Sequence, residues 1–276
     1  MLVEAAPAKL NLALHVRGRR GDGYHELETL FVFARDGDVV TVVRADRPSF
    51  AIAGPFAAGL AAEDDNLVLR ARDGFAAAFG VDAAHAITLD KRLPVASGIG
   101  GGSADAAATL RALARLHGVA GDDPRLVALA ASLGADVPAC LFGRAAFGSG
   151  RGDALEPLAG LGDMPSLLVN PLVGVSTAAV FARWDGVDRG GIGAGDTLAR
   201  GRAGRNDLQA AAEAIAPEVR GLIEVLAAQP GVVLARMSGS GATCFALFDD
   251  MAARDAADRA VALAHPGWWR LATTIA

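Results

Sequence analysis

The chain has 276 residues, 52% hydrophobic and 21% charged, with a net charge of -5 and a mean hydropathy of +0.33. That composition belongs to a folded globular protein and excludes a disordered or collagen-like one; at roughly 100–200 residues per domain the length admits one domain or two, with two favoured. The acidic balance offers a polyphosphate backbone no global attraction, and no local basic stripe compensates, so no nucleic-acid partner is expected.

The N-terminus carries Glu4, Lys9 and Asn11 rather than a basic segment followed by an apolar one, which reads as a mature cytoplasmic protein. From Ala8 to Val16 the chain alternates, with Leu10, Leu12, Leu14 and Val16 on one side and Lys9, Asn11, Ala13 and His15 on the other. That period of two predicts a strand, and it points Lys9 and Asn11 the same way. A turn-rich loop over 18–23 leads to Tyr24-His25. Further strands are expected at Leu27–Ala34, Val39–Arg44 and Ala86–Leu89, with a helix starting at Asp64 or Asp65 and running through Phe79.

After Pro94 a loop, Val95-Ala96-Ser97-Gly98-Ile99-Gly100-Gly101-Gly102, runs into an alanine-rich helix expected over Ser103–Leu116, and a second helix is expected over Pro124–Leu133. The apolar stretches that follow are broken by Gly134, Asp136, Pro138 and Arg144 and are too short to span a bilayer, so no membrane partner is expected. A weakly periodic, glycine-rich stretch over 148–162 marks the domain boundary, giving domains 1–155 and 156–276. Strands are then expected at Leu167–Asn170, Val232–Met237 and Thr243–Phe248, and helices near Thr177–Trp184, Asp207–Ala228 and Met251–Ala264. Residues 186–205, with seven glycines, read as a mobile surface loop. Cys140 and Cys244 form no Cys-x-x-Cys pair and have no histidines at metal spacing, so two buried thiols are expected.

Five features carry chemistry. Glycines followed by a helix start expose backbone N–H groups and a partial positive charge, which suits an anion; a tight turn is the plainer reading. The loop is neither a Walker A motif, which needs lysine where Ser103-Ala104 stand, nor a dinucleotide fingerprint, whose third glycine is replaced by Ser103. Ser103 is a candidate cap for the helix. Of 26 basic residues only Lys9 and Lys91 are lysines, so an ammonium is used sparingly here, either for chemistry or by accident of a surface. Asp136, among small and apolar residues, is a helix cap or a general base. Tyr24-His25 is a structural pair or a reader of a flat ring. Met237 to Thr243 is a hairpin or a second small-residue wall beside the loop.

Taken in order, Pro7-Ala8-Lys9-Leu10-Asn11-Leu12, Asp22-Gly23-Tyr24-His25-Glu26-Leu27, Leu93-Pro94 through Gly102-Ser103-Ala104-Asp105-Ala106-Ala107, Gly134-Ala135-Asp136-Val137-Pro138, Asn206-Asp207-Leu208 and Ser238-Gly239-Ser240-Gly241-Ala242-Thr243 resemble the GHMP kinase superfamily. The Asp-Gly-Tyr-His element is similar to that of its members acting on a cytidine diphosphate adduct of methylerythritol. The resemblance implies an α/β (α+β) fold of two domains: an N-terminal ribosomal-protein-S5-domain-2-like domain with a left-handed βαβ crossover and a C-terminal ferredoxin-like domain. It implies ATP with Mg2+ as cofactors and transfer of a phosphoryl group to a hydroxyl of that small molecule, by a monomer or homodimer. Lys9 and Asp136 are then the catalytic pair, the carboxylate accepting the hydroxyl proton and the ammonium keeping it ionised. Pro94, Val95, Ala96, Ser97, Gly98, Ile99, Gly100, Gly101, Gly102, Ser103 and Ala104 wrap the ATP phosphates, with Lys91 and Asn66 near the nucleoside. Asn11 orients the reacting end, Tyr24 and Phe181 sandwich the cytosine, and His25 reads its edge. Two departures stand out. Ala178 replaces a proline of many relatives, and Asp105 is the one carboxylate of the loop helix that could bear on magnesium, whose ligands stay unassigned. Another kinase of the superfamily, or a nucleotide-binding module without chemistry, are the competing readings.

Overall fold

A computed structural model describes residues 1–60 and 66–276. The elements in order are β1 (Leu2–Arg19), β2 (His25–Arg44), β3 (Ser49–Ala53), α1 (Leu67–Phe79), β4 (His85–Asp90), α2 (Gly101–His117), α3 (Pro124–Leu133), α4 (Val137–Phe142), β5 (Ala146–Gly150), β6 (Ala154–Pro157), β7 (Met164–Asn170), α5 (Thr177–Ala182), α6 (Thr197–Ala203), α7 (Gln209–Ile215), α8 (Glu218–Ala227), β8 (Val232–Met237), β9 (Cys244–Phe248), α9 (Met251–Ala264) and β10 (Trp269–Ile275). They fall into two compact units. Met1–Ala8, Asp36–Val95 and Gly100–Gly143 make the first; Lys9–Arg35, Ala96–Ile99 and Arg144–Ala276 make the second.

In the first unit β4 pairs antiparallel with β2, from Val39 opposite Asp90 to Arg44 opposite His85, and parallel with β3. The two strands expected at 27–34 and 39–44 are one strand, β2. Gly37 lies in the middle of β2, where a Cβ would collide with the Ala6 carbonyl, so the missing side chain permits a close approach of β1. The expected start of α1 at Asp64 or Asp65 lies outside the described residues. The helix is observed from Leu67, with the Asn66 side chain accepting from Val68 N at 2.9 Å. α2 packs on α1 and α4 through a run of buried alanines, Ala104, Ala106, Ala107, Ala108 and Ala112, whose small side chains bring backbones close. It ends at Gly118, whose φ of 67° is left-handed.

In the second unit β7, β8, β9 and β10 form an antiparallel sheet in the order β10-β7-β9-β8, continued by β2 beside β10. α8 precedes β8 and α9 precedes β10, so the chain runs strand, helices, strand, strand, helix, strand. That is the split βαβ of a ferredoxin-like domain. Its core sets Leu167 and Val169 of β7 and Ala246 and Phe248 of β9 against Leu222 and Leu226 of α8 and Val261 of α9, all buried. Each such aliphatic side chain contributes about 1.5–3 kcal/mol by leaving water.

Several sequence expectations need correcting. The stretch over 148–162 holds the end of β5 and all of β6, which pair with each other, β5 also pairing with β2. The helix expected over Asp207–Ala228 is two, α7 and α8, because Pro217 has no N–H to continue the first. Residues 186–205 are tied down rather than loose: α6 forms there with Asp196 as its cap, Ile192 N donates to Glu28 Oε2 at 2.7 Å and Arg17 pairs with Asp188 at 2.9 Å. Among the described residues no helix is long and apolar enough to cross a membrane.

Candidate active site

In the second unit, β1 is buried on both faces from Ala8 to Val16, so its polar side chains must be satisfied inside the protein. Lys9, 3% exposed, donates to Asn11 Oδ1 at 3.0 Å and lies 5.3 Å from the centre of the Phe31 ring. Asn11 Nδ2 donates to Thr29 Oγ1 at 2.7 Å, and Thr29 Oγ1 donates to the Ala13 carbonyl at 2.8 Å. A relay of polar side chains from two strands thus fixes the lysine. Asn11 holds Lys9, a role that the sequence reading did not give it. Thr29 and Phe31 were missed, since a threonine and a phenylalanine on an alternating strand carry no chemical signal.

The Gly98 segment and the turn after β8 meet backbone to backbone. Lys9 N donates to the Ile99 carbonyl (2.9 Å), Thr243 N to the Ser97 carbonyl (3.1 Å), Ser238 Oγ to the Gly98 carbonyl (3.0 Å), and Asn11 N to Ser238 Oγ (3.2 Å). A Cβ on Gly98, whose φ is 77°, would stand 2.5 Å from the Ser238 carbonyl. The turn from Ser238 to Thr243 thus lies against the Gly98 segment, and Asn206 sets it. Its Nδ2 donates to the Met237 and Gly239 carbonyls at 2.9 and 2.8 Å.

In the first unit α2 begins two residues earlier than expected, with Gly100 (φ 66°) at its cap position and no side-chain cap bond. Ser103 is therefore not the cap but lies within the first turn. The first N–H groups of a helix lack intrahelical carbonyl partners and lie at the positive end of its dipole, which suits an anion. Lys91 is 2% exposed, its ammonium between Asp38 (2.5 Å) and Asp105 (2.7 Å). Burial works against that ammonium, but Asp105 and Asp38 outweigh it and hold its pKa above the ordinary value. Burial also pushes the Asp105 carboxyl up to about 7, against the pull of Lys91 and with the help of Asp38. Asp105 is thereby occupied, and no cluster of three or more His, Cys, Asp or Glu side chains able to hold a metal exists among the described residues. These residues do not fit a protein-built magnesium centre.

Asp136 occupies the cap position of α4 yet makes no cap hydrogen bond, its own backbone being helical at φ -85°. The half-buried carboxylate is thus not consumed by capping, and that plainer reading fails.

His25 packs on Phe181 at 4.9 Å between ring centres and meets Trp184 edge-on at 5.6 Å. Its Nε2 is buried without a hydrogen-bond partner among the described residues. Burial, then the Arg19 charge, lowers the His25 pKa, which keeps the ring neutral near pH 7 with one donor and one acceptor nitrogen. Tyr24 is 52% exposed, with the Arg151 guanidinium 5.0 Å from its ring centre. Trp184, the edge partner of His25, was not singled out from sequence.

Two tests arise here. Gly101→Val would place a Cβ 3.0 Å from Lys91 Nζ and crowd the helix head. It is expected to weaken ATP binding about tenfold or more, roughly 1.4 kcal/mol, with an unchanged circular dichroism spectrum; equal titration curves would return the loop to a simple turn. The second concerns pH. The folded Asp105 pKa of about 7 lies above the ordinary 3.8, so stability from this group is present below the ordinary value and lost as pH rises through the folded one. Asp105→Asn removes that loss, so its Tm should gain on wild type as pH rises from about 4 to about 7. Parallel Tm curves would contradict the charge balance.

The chain matches the family GHMP kinases N terminal domain over residues 66–144 and GHMP kinases C terminal over residues 190–264. It is 58% identical to the 4-diphosphocytidyl-2-C-methyl-D-erythritol kinase of Rhizorhabdus wittichii, across 99% of this chain and 94% of that protein. It is 52% identical to the kinase of the same name from Cereibacter sphaeroides, across 96% and 95%. A crystal structure of 4-(cytidine 5'-diphospho)-2C-methyl-D-erythritol kinase superposes with a TM-score of 0.80 at 33% identity, covering 99% of both chains. Homoserine kinase from Cytophaga hutchinsonii shares the fold, with a TM-score of 0.74 at 18% identity over 99% of this chain and 94% of that one. With both family halves matched and full-length relatives this similar, the chain belongs to the GHMP kinase family.

Proposed function

We propose that this enzyme transfers the terminal phosphoryl group of ATP to the 2-hydroxyl of 4-diphosphocytidyl-2-C-methyl-D-erythritol, giving the 2-phosphate, a step of the non-mevalonate route to isopentenyl diphosphate. Full-length relatives of that name support the substrate. Within the chain the reading is carried by His25: a neutral ring, packed at a tilt against Phe181, with a buried nitrogen that lacks a partner among the described residues. Such a nitrogen costs about 1–3 kcal/mol unless a ligand edge satisfies it, and a cytosine edge offers both a donor and an acceptor. Tyr24, exposed on the neighbouring position, supplies a flat face for the same base.

The reaction needs positioning and charge stabilisation more than covalent help. Pro94 to Ala104, with Asn66, take the nucleotide, and the N–H groups at the head of α2 stabilise charge on its phosphates. Asp136 accepts the proton of the attacking hydroxyl, and the Lys9 ammonium, held by Asn11, stabilises charge on the transferring phosphoryl group. No cluster among the described residues would hold Mg2+, so the charge neutralisation that it would supply to the phosphates would come with ATP rather than from a protein-built centre. The division into an ATP-binding part, 1–155, and a C-terminal part, 156–276, is the reading of the domains that goes with these roles.

A coupled assay of ADP release tests the proposal with the cytidine adduct, homoserine, mevalonate and galactose supplied in turn. Turnover is expected with the cytidine adduct alone. Preferential turnover of any of the other three would replace it by another member of the family.

A further inference from the structure

Both ends of the glycine loop lead to one buried ionic group. On the side before the loop, Asp38 Oδ1 accepts from the backbone N–H groups of Arg92 and Leu93 at 2.5 and 2.8 Å, immediately ahead of Pro94. On the far side Asp105 sits in the second turn of α2. Lys91 joins the two carboxylates at 2.5 and 2.7 Å, and its Nζ lies 3.0 Å from where a Cβ of Gly101 would be. All three side chains are at most 2% exposed. Two of the three ammonium protons of this enclosed lysine are directed at carboxylates.

We propose that Lys91, Asp38 and Asp105 are positioning residues: they clasp the start and end of the glycine loop so that the head of α2 presents its N–H groups to the nucleotide phosphates, and none of them touches the nucleotide. This replaces the contact near the nucleoside that the family resemblance implies for Lys91, and it rests on the ATP-dependent reading above.

The charges within the clasp support it. One ammonium serves two carboxylates, and Asp105 Oδ1 is buried with no hydrogen-bond partner among the described residues. The shortage of positive charge agrees with the raised pKa of Asp105, whose charged neighbours are Lys91 and Asp38. A buried ion pair of this kind adds little net stability against an apolar replacement, but removing one member alone leaves uncompensated charge. Its service is to fix geometry. A displacement of about 1 Å in a positioning element is enough to cost on the order of 10² in rate.

A mutant cycle separates positioning from contact. Lys91→Met leaves two carboxylates facing each other and is expected to raise the ATP dissociation constant and KM at least about tenfold, with a smaller change in kcat. Adding Asp105→Asn removes one of the two charges and with it their mutual repulsion, so the double variant Lys91→Met/Asp105→Asn is expected to recover most of the lost ATP affinity. A direct contact predicts the reverse: the double variant regains Tm but stays as weak for ATP as Lys91→Met, which would overturn the proposal. If Lys91→Met does not fold by circular dichroism, Asp105→Asn alone decides. It keeps a carbonyl for Lys91 and should hold the ATP dissociation constant within about threefold, since an amide still accepts the bond. A loss of about tenfold at unchanged Tm would overturn the proposal, because the carboxylate would then act on the ligand itself. ATP titration of the wild type is the control: failure to bind sinks the kinase reading as well, whereas binding with an uncoupled cycle sinks this inference only.

Discussion

Asp136→Asn is expected to bind ATP as the wild type does and to turn over about 10²–10⁴ times more slowly, since an amide cannot accept the hydroxyl proton. The substitution should leave the fold intact. The side chain makes no cap bond to α4, and Pro138 in the first turn with Gly143 at the left-handed C-cap (φ 65°) defines that short helix without it. The measurement is kcat alongside an ATP titration and a Tm. A kcat within a few-fold of wild type would remove Asp136 from the chemistry, and a large drop in Tm would move it to a structural role.

Lys9→Arg is expected to lower kcat by on the order of 10², although charge is conserved. Lys9 is buried beside Asn11 and Phe31, and the ammonium is a compact group that donates to the Asn11 carbonyl at 3.0 Å. A guanidinium is planar and larger, and in a packed site it must displace the ring or the amide. Asn11→Ala should fall between wild type and Lys9→Arg, since it releases the lysine without removing it. The pattern is read from kcat of the three proteins at saturating ATP, with Tm as the control for folding. Normal turnover by Lys9→Arg would mean that a positive charge anywhere nearby is enough.

Much of this was legible in the sequence because it rests on local signals. Period-two alternation marked β1, and the ranges expected for α3, β8 and α9 match those observed; in the structure Asp123 caps α3 and Pro124 opens it. The motifs supplied the loop, the lysine and the aspartate of the proposed site. What failed to show was decided by distant partners. β10 has an unremarkable sequence and is a strand because β7 pairs with it along seven residues, from Trp269 opposite Asn170 to Ile275 opposite Met164. Asp38 looks like an ordinary loop acid between Gly37 and Val39, and only the fold brings Lys91 to it across 53 positions. The same holds for Asn206, which holds the carbonyls of Met237 and Gly239 from some thirty residues away. The order of residues 186–205 escaped notice because glycine content reports freedom in the unfolded chain, not the contacts from Glu28 and Arg17 that remove it.

The central claim is that a cytidine-linked alcohol is the phosphoryl acceptor, recognised at the His25 and Phe181 aromatic pair. It is tested most directly by kcat/KM for the cytidine diphosphate adduct against free methylerythritol 4-phosphate, for wild type and His25→Ala. Remote binding energy orients the reacting end, so wild type should favour the adduct by on the order of 10³ or more. His25→Ala should reduce that preference by about tenfold or more, matching the roughly 1–3 kcal/mol of a lost buried hydrogen bond. Equal kcat/KM for the two acceptors in the wild type would contradict the account.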